Sequence, residues 1–250
     1  MSKMKMKKDP LGARIKNNYE NITRYELPKR TYTILRLDGR AFHTYTKGLK
    51  KPFDESLSNS IDQATIKLMN EISGSVMAYN QSDEISILLY DFATIQTQPW
   101  FGNNLQKICS VSASILTAWF NHFEKCERPL KSLNFGIFDA RAFTIPERIE
   151  VLNYFLWRNA DCRRNAISMV GQSLFSHKDL QKKSGQQVID MIYAKTGKKY
   201  DDSYSDFNKN GRLILKREGI WVVEAAWNFM QDKETLLKYI PQYSYEKTTY

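Results

Sequence analysis

Two acidic motifs hold the residues best suited to chemistry in this 250-residue chain. Arg36-Leu37-Asp38-Gly39-Arg40-Ala41-Phe42-His43 sets a carboxylate at the end of an apolar run. Gln81-Ser82-Asp83-Glu84 sets two more just before another run, Ile85-Ser86-Ile87-Leu88-Leu89. Singly, each motif reads as a turn, where Asp and Gly serve backbone geometry. The functional alternative gives Asp38 a metal and lets a phosphate approach Gly39 closely, with successive N–H groups cradling a triphosphate. A carboxylate at a strand end and a second in a neighbouring hairpin match the needs of a two-metal site. Two ions roughly 3.5–4 Å apart activate an attacking oxygen and stabilise leaving pyrophosphate. Mg²⁺ suits such a site, because it takes few protein carboxylates and keeps substrate phosphates as ligands. The three histidines and three cysteines are dispersed, without zinc spacing or a disulfide framework, and this cysteine usage fits a reducing cytoplasm.

Basic residues supply a second theme. Lys and Arg number 37 against 27 Asp and Glu, a net charge of +10 that attracts polyanions. Lys50-Lys51-Pro52-Phe53-Asp54 reads as a solvated loop, or as the source of a lysine that neutralises a phosphate. Arg158, Asp161, Arg163, Arg164 and Asn165 fall at helical spacing, Arg158 sharing a face with Asp161 and Asp161 with Asn165. They form either surface ion pairs, which contribute little, or a basic face that holds phosphates or a nucleotide. His43 reads as a pocket or packing residue.

These residues need elements to position them. Residues 31–37 are β-branched and aromatic and stop at Asp38-Gly39, which predicts a strand. Asp54 caps a helix from Glu55 to about Ile72, and Gly74 ends it. Ser75–Tyr79 and Ile85–Tyr90 read as strands joined by a polar loop, Asn80 to Glu84. A helix over Leu105–Phe123 and a strand over Leu133–Phe138 complete the order strand, helix, strand, strand, helix, strand. That order is the split βαβ, ferredoxin-like pattern of an α+β fold, mainly an antiparallel sheet with helices on one side. It brings the first strand beside the central hairpin, and so Asp38 beside Asp83. Pro146 then opens a long helix, Glu147–Ser173, and another is expected over Lys178–Ala194. Residues 196–210 read as a mobile loop, and Arg212–Lys216 with Ile220–Ala225 as a terminal hairpin. The basic Met1–Lys8 reads as a loose tail, and the segment after Tyr239 shows no pattern. The expected organisation is a palm-like unit over residues 1–145 with a helical and hairpin extension over 146–250 packed on it as one compact body.

The motifs together resemble those of the tRNA-histidine guanylyltransferase family, polymerases that add nucleotides in the 3′-to-5′ direction. The blocks are Arg36–His43, Ala78-Tyr79-Asn80-Gln81-Ser82-Asp83-Glu84, and Trp157-Arg158-Asn159-Ala160-Asp161-Cys162-Arg163-Arg164-Asn165, with Lys51-Pro52-Phe53-Asp54 between the first two. The resemblance runs from about residue 10 to residue 225. It implies a polymerase-like palm with two Mg²⁺ held by Asp38, the Gly39 carbonyl and Asp83, and Glu84 as an auxiliary acid. It implies nucleotide contacts from Asp38, Gly39, Arg40, Ala41, Phe42, His43, Lys51, Ser82, Asp83 and Asn165, and RNA contacts from Arg158, Arg163 and Arg164. It further implies ATP or GTP activation of a 5′-monophosphorylated tRNA, attack by an incoming nucleotide's 3′-hydroxyl, and a cytoplasmic homotetramer. Eukaryotic-type members carry His-Ile-Asn-Asn after the Asp-Cys pair, where this chain has Arg163-Arg164-Asn165-Ala166. The chain is therefore more similar to the bacterial and archaeal branch, associated with template-directed repair of truncated tRNA 5′ ends. Asn80 stands where the family usually has glycine. The competing readings are single-guanosine addition to histidine tRNA, a palm-fold nucleotide cyclase, whose acidic Gly-Gly signature is missing here, and a non-catalytic RNA-binding module.

Overall fold

The computed structural model describes residues 9–128 and 134–243. Among them run helix α1 (Pro10–Asn18), strand β1 (Tyr32–Gly39), the short α2 (Phe42–Tyr45), α3 (Glu55–Glu71), β2 (Ser75–Gln81), β3 (Glu84–Tyr90) and α4 (Leu105–Glu127). Next come β4 (Phe138–Ile145), α5 (Arg148–Leu174), α6 (His177–Leu180), α7 (Gly185–Thr196), α8 (Tyr200–Ser203), α9 (Asp206–Lys209), β5 (Arg212–Arg217), β6 (Ile220–Ala225) and α10 (Lys233–Tyr239). The strands form one antiparallel sheet in the order β4-β1-β3-β2-β5-β6. Its first four strands have the ferredoxin-like order, and the β5–β6 hairpin extends it beyond β2. None of the described helices is long and apolar enough to cross a membrane.

Alternation along the strands divides the core between two faces. Leu35, Leu37, Ile85 and Ile87 pack against Ile61 and Leu68 of α3 and Leu116 and Phe120 of α4. Ile34, Leu88, Met77 and Leu213 pack on the other face against Val151, Leu152 and Phe155 of α5 and against Phe229. With both faces covered, β3 can be apolar almost throughout, and all its residues from Glu84 to Leu89 are buried. The palm helices lie on one side, as expected, and α5 closes the other.

Local rules explain the main boundaries. The Asp54 carboxylate accepts from the Leu57 N–H at 2.9 Å and caps α3. Chain direction after α3 reverses at Gly74, whose φ is +81°. α5 begins directly after Pro146 and Glu147.

Several segments depart from expectation. The fourth strand is Phe138–Ile145 and not Leu133–Phe138; Leu133 lies outside the described residues, as do Met1–Lys8. Gly136 instead packs on the Phe120 ring during the approach to the strand. β4 is an edge strand carrying exposed Asp139 and Arg141, so its pattern is charged where a core strand would be apolar. The helix expected over 178–194 is two helices, because Lys182 adopts φ +62° and Ser184 opens α7 with its own capping box. Residues 196–210 are not an open loop but carry α8 and α9. The chain after Tyr239 is described to Tyr243.

A buried network ties α3, β2 and β5 beneath the acidic hairpin. Asp62, 4% exposed, receives Arg212 Nε at 2.8 and 2.7 Å and Asn80 Nδ2 at 2.8 Å. Asn80 also donates to Thr65 Oγ1 at 3.1 Å. The side chain that replaces the family glycine is thus an anchor for β2. Asp62→Ala leaves Arg212 buried without its counter-ion, and the expected cost is about 3–5 kcal/mol in urea unfolding. A loss of unfolding free energy below about 1 kcal/mol contradicts this role for the network.

Candidate active site

The sheet end that carries the two motifs opens into a cleft of 410 Å³ between α3, α5 and the start of β5. Asp38, Ser82, Asp83 and Glu84 line one wall, Asp54, Leu57 and Ser58 a second, and Arg158, Asp161, Asn165 and Met169 a third. Gly211 and Arg212 also contribute. A Cβ on Gly211 would lie 2.7 Å from Tyr79 Oη and 2.8 Å from the Asn80 carbonyl, and its φ is +83°, so glycine is required there.

The hairpin that presents Asp83 is tighter than the expected Asn80–Glu84 loop. β2 and β3 extend to the Gln81–Glu84 pair, leaving only Ser82 and Asp83 in the turn. Ser82 takes the left-handed φ of +48°, and its hydroxyl donates to Asp83 Oδ1 at 3.0 Å. Asp38 lies directly across from Glu84 in the sheet, and the Gly39 N–H donates to the Asp83 carbonyl at 3.1 Å. The two motifs are therefore brought together by main-chain pairing. Burial raises the Asp83 pKa; hydrogen bonds from Ser82 and its own backbone partly offset this, and the charges of Asp38 and Glu84 add to it.

Arginines separate the acidic residues into two groups. Glu84 is held by Arg158 through Nε at 2.6 Å and Nη2 at 2.7 Å, by Arg36, and by Gln81 Nε2 at 2.9 Å. Asp161 receives Arg158 at 2.8 Å and Arg164 at 2.6 Å. Desolvation opposes its ionisation, but the Arg164 hydrogen bond and the Arg158 charge outweigh that and lower its pKa. Asp54 pairs with Arg128 and Asp62 with Arg212. Among the described residues, Asp38 and Asp83 have no salt-bridge partner. Two adjacent carboxylates without a cation, one of them desolvated, fit a hard divalent ion supplied with the substrate. No described cluster of His, Cys, Asp or Glu reaches three members around one metal position. Phosphate and water ligands would complete the shell.

The other expected site residues scatter. Asn165 lines the cleft and its amide lies 3.4 Å from Asp161. Phe42 is buried against Phe120 and Phe138, so its ring belongs to the core and is not free to contact a nucleotide. Gly39 needs no side chain because a Cβ there would overlap the Phe42 ring. Arg40, Ala41 and His43 are exposed on the turn past Asp38, with Ala41 at φ +55°, and Lys51 is exposed on the loop before α3; none of them lines the cleft. Arg158, 4% exposed, cannot serve as an RNA-facing cation, because both its reach and its charge are taken by Glu84 and Asp161. Arg163 is bound to Asn210 Oδ1 at 2.8 Å beside Tyr200, away from the cleft. Arg164 remains 68% exposed. Sequence reasoning missed Arg36, Asp62, Gln81 and Arg212, whose partners are distant along the chain or on other elements.

A ferredoxin-like antiparallel sheet that presents two carboxylates without salt-bridge partners to a cleft has the architecture of a palm-type nucleotidyltransferase. The comparisons agree: residues 13–146 match the family model described as Thg1, tRNAHis guanylyltransferase. The tRNA(His) guanylyltransferase of Schizosaccharomyces pombe is 27% identical over 242 residues, covering 89% of this chain and 87% of that protein. A solved bacterial tRNA(His) guanylyltransferase (Thg1)-like protein in complex with ATP is 41% identical with a TM-score of 0.86, covering 92% of this chain and 99% of that one. Another such structure, in complex with GTP, is 37% identical with a TM-score of 0.77 over the same shares. The chain belongs to the tRNAHis guanylyltransferase family.

Proposed function

We propose that the protein is a Mg²⁺-dependent 3′-to-5′ nucleotidyltransferase that activates a tRNA 5′ end with ATP or GTP and adds nucleotides to it under template control. The observation that carries this reading is the pair Asp38 and Asp83, left without cations in a cleft whose other acids are matched to arginines. The ATP and GTP bound by the two bacterial relatives support triphosphates as substrates.

Two Mg²⁺ ions, when bound, supply charge neutralisation for the attacking and leaving oxygens. Asp38 and Asp83, with the Gly39 carbonyl, would hold them. The 5′-phosphate oxygen of the RNA attacks the α-phosphorus of ATP, a new P–O–P link forms, and pyrophosphate leaves. The 3′-hydroxyl of the incoming nucleotide then attacks the activated 5′-phosphorus, AMP leaves, and the hydroxyl proton passes to solvent. Ser82 fixes the rotamer of Asp83, and the Arg158–Glu84 pair holds the hairpin against α5. We assign Ser82 and Asn165, which line the cleft, to the triphosphate. Alternation of roles at one site needs phosphate groups held in line, and fixed carboxylates on a rigid sheet provide that.

The missing histidine motif, with Arg163 tied to Asn210 and Arg164 to Asp161, supports 5′-end repair over guanylation of histidine tRNA. The curated relative's name favours the alternative, addition of one guanosine. Incubation with a 5′-truncated non-histidine tRNA and with intact histidine tRNA separates them. Repair predicts faster extension of the truncated species, stopping where base pairing is complete. One untemplated G on the histidine species alone refutes repair. We extend the proposal to a homotetramer, and the exposed Leu11, Ile15 and Tyr19 in and after α1 are apolar side chains that a subunit contact would cover.

A further inference from the structure

α5 presents different side chains to two cavities. Cys162, Asn165, Ala166 and Met169 line the catalytic cleft, whereas Arg163 and Ile167 line a second cavity of 320 Å³. The short α9 is divided in the same way. Phe207 and Asn208 line the catalytic cleft, and Asp206 and Lys209 line the second cavity. Tyr200 of α8, with Trp227, Asn228 and Gln231 after β6, adds to its wall. No described residue lines both cavities, and the second is large enough for a small metabolite.

Two groups in this cavity lack the partners that their burial calls for. Tyr200 is 5% exposed, its ring is held in a small core with Val170, Val188 and Ile192, and its hydroxyl has no hydrogen-bond partner. A hydroxyl buried in this way costs free energy until a partner arrives. Burial raises the phenol's pKa against the opposing charge of Arg163, so the hydroxyl keeps its proton and remains a donor. Arg163 is half-buried and, among the described residues, forms no salt bridge. One of its N–H groups donates to Asn210 Oδ1 at 2.8 Å, and the rest of the guanidinium is uncommitted. The acids of the cavity do not neutralise it. Lys209 lies 3.5 Å from Asp206 and 3.9 Å from Asp201, and these carboxylates are 59% and 82% exposed. Their charge is met by Lys209 and screened by water. A cation and a protonated phenol, both short of acceptors, call for a ligand that brings negatively charged oxygens.

We propose that this cavity is a second binding site, separate from the catalytic cleft, and that it takes a small molecule bearing an oxyanion, phosphate or carboxylate, on Arg163 and the Tyr200 hydroxyl. The burial of that hydroxyl restricts the occupant to a small molecule. Space beside Trp227, Asn228 and Gln231 accommodates the group that carries the oxyanion. The site stands independently of nucleotidyl transfer, since none of its residues touches the carboxylates assigned to the metals.

The test is calorimetric titration of the full chain with sodium phosphate and with sodium acetate, against sodium chloride at the same ionic strength. Metal-free buffer keeps phosphate from being recruited to Asp38 and Asp83. The proteins are the parent chain, Arg163→Met, Arg163→Lys, Tyr200→Phe and Lys178→Met, the last removing an exposed cation of α6 as a charge control. At least one of the two oxyanions should saturate a single site on the parent, and chloride should not; which of them binds identifies the ligand's anionic group. Arg163→Met should weaken binding about tenfold, and Arg163→Lys should recover part of the loss. Tyr200→Phe should weaken binding about fivefold, yet leave the melting temperature of the ligand-free protein unchanged or raised, because it deletes a buried hydroxyl that has no partner. Lys178→Met should bind as the parent does. ATP affinity, measured separately with Mg²⁺, should stay at the parent value in every variant. The proposal is overturned by a parent that binds neither oxyanion beyond chloride, or by parent-like binding in Arg163→Met or Tyr200→Phe. An equal loss in Lys178→Met, or a parallel fall in ATP affinity, overturns it as well.

Discussion

Asp83→Asn is expected to lower nucleotide transfer roughly a thousandfold or more and, in the same protein, to raise the melting temperature. The two effects have one cause. The carboxylate is desolvated and faces the charges of Asp38 and Glu84, which is why its pKa is raised. With the folded value above the unfolded one, ionised Asp83 opposes folding at every pH above the raised value, and that penalty fades as pH falls through it towards about 4. Asparagine keeps the shape and accepts the Ser82 hydroxyl bond, but removes the charge that a metal needs. The gain in stability should therefore be present at pH 7 and vanish near pH 4, read by thermal melts in metal-free buffer. Asp38→Ala should lose transfer as completely. Full activity in either variant refutes the assigned mechanism, and a stability gain that grows towards acid pH refutes the electrostatic account.

Arg158→Met is expected to lower stability by about 3–5 kcal/mol, because it strands a buried carboxylate. Glu84 is 8% exposed, and both of its oxygens are committed to Arg158. Arg158→Lys should recover little, since an ammonium cannot span both oxygens. Combining Arg158→Met with Glu84→Gln should restore much of the loss, so the two changes are strongly non-additive in a double-mutant cycle. Additive effects within about 0.5 kcal/mol would show that the pair is not the clamp described. The outcome also bears on the role of Glu84. A group bound by two arginines and a glutamine positions the hairpin; it has no free oxygen with which to act as an auxiliary acid.

What the sequence disclosed depended on the range of the interaction. Local signals were legible: the strand ending at Asp38-Gly39, the Asp54 cap, the α3 and α4 spans and the terminal hairpin all follow from periodicity and capping. Their order was enough to place Asp38 beside the Asp83 hairpin. β4 was misplaced because edge strands carry charge, and Asp139 and Arg141 hide its period. The single helix expected after α5 is split into α6 and α7, and the left-handed backbone of Lys182 that splits it has no sequence signal. The arginines were legible as cations but not by role. Arg158 reads as a helix-surface residue until Glu84, 74 positions away, is brought against it, and Arg212 likewise until it meets Asp62. Phe42 and Lys51 fell within family motifs, yet one packs in the core and the other lies outside the cleft, so membership of a motif does not fix what a side chain touches.

The strand order has a consequence for how the molecule comes into being. β5 pairs with β2, so Ala78 meets Ile214 and Asn80 meets Arg212 across more than half the chain. Contacts of such sequence separation close late, because loop entropy must be overcome before they contribute. On the ribosome, the four-strand ferredoxin-like unit can collapse while β5 is still inside the exit tunnel, with the β2 edge bare and Asp62 lacking Arg212. Nascent chains would then be open to edge-to-edge pairing, and the cleft wall formed by Gly211 and Arg212 would be added only once β5 has emerged.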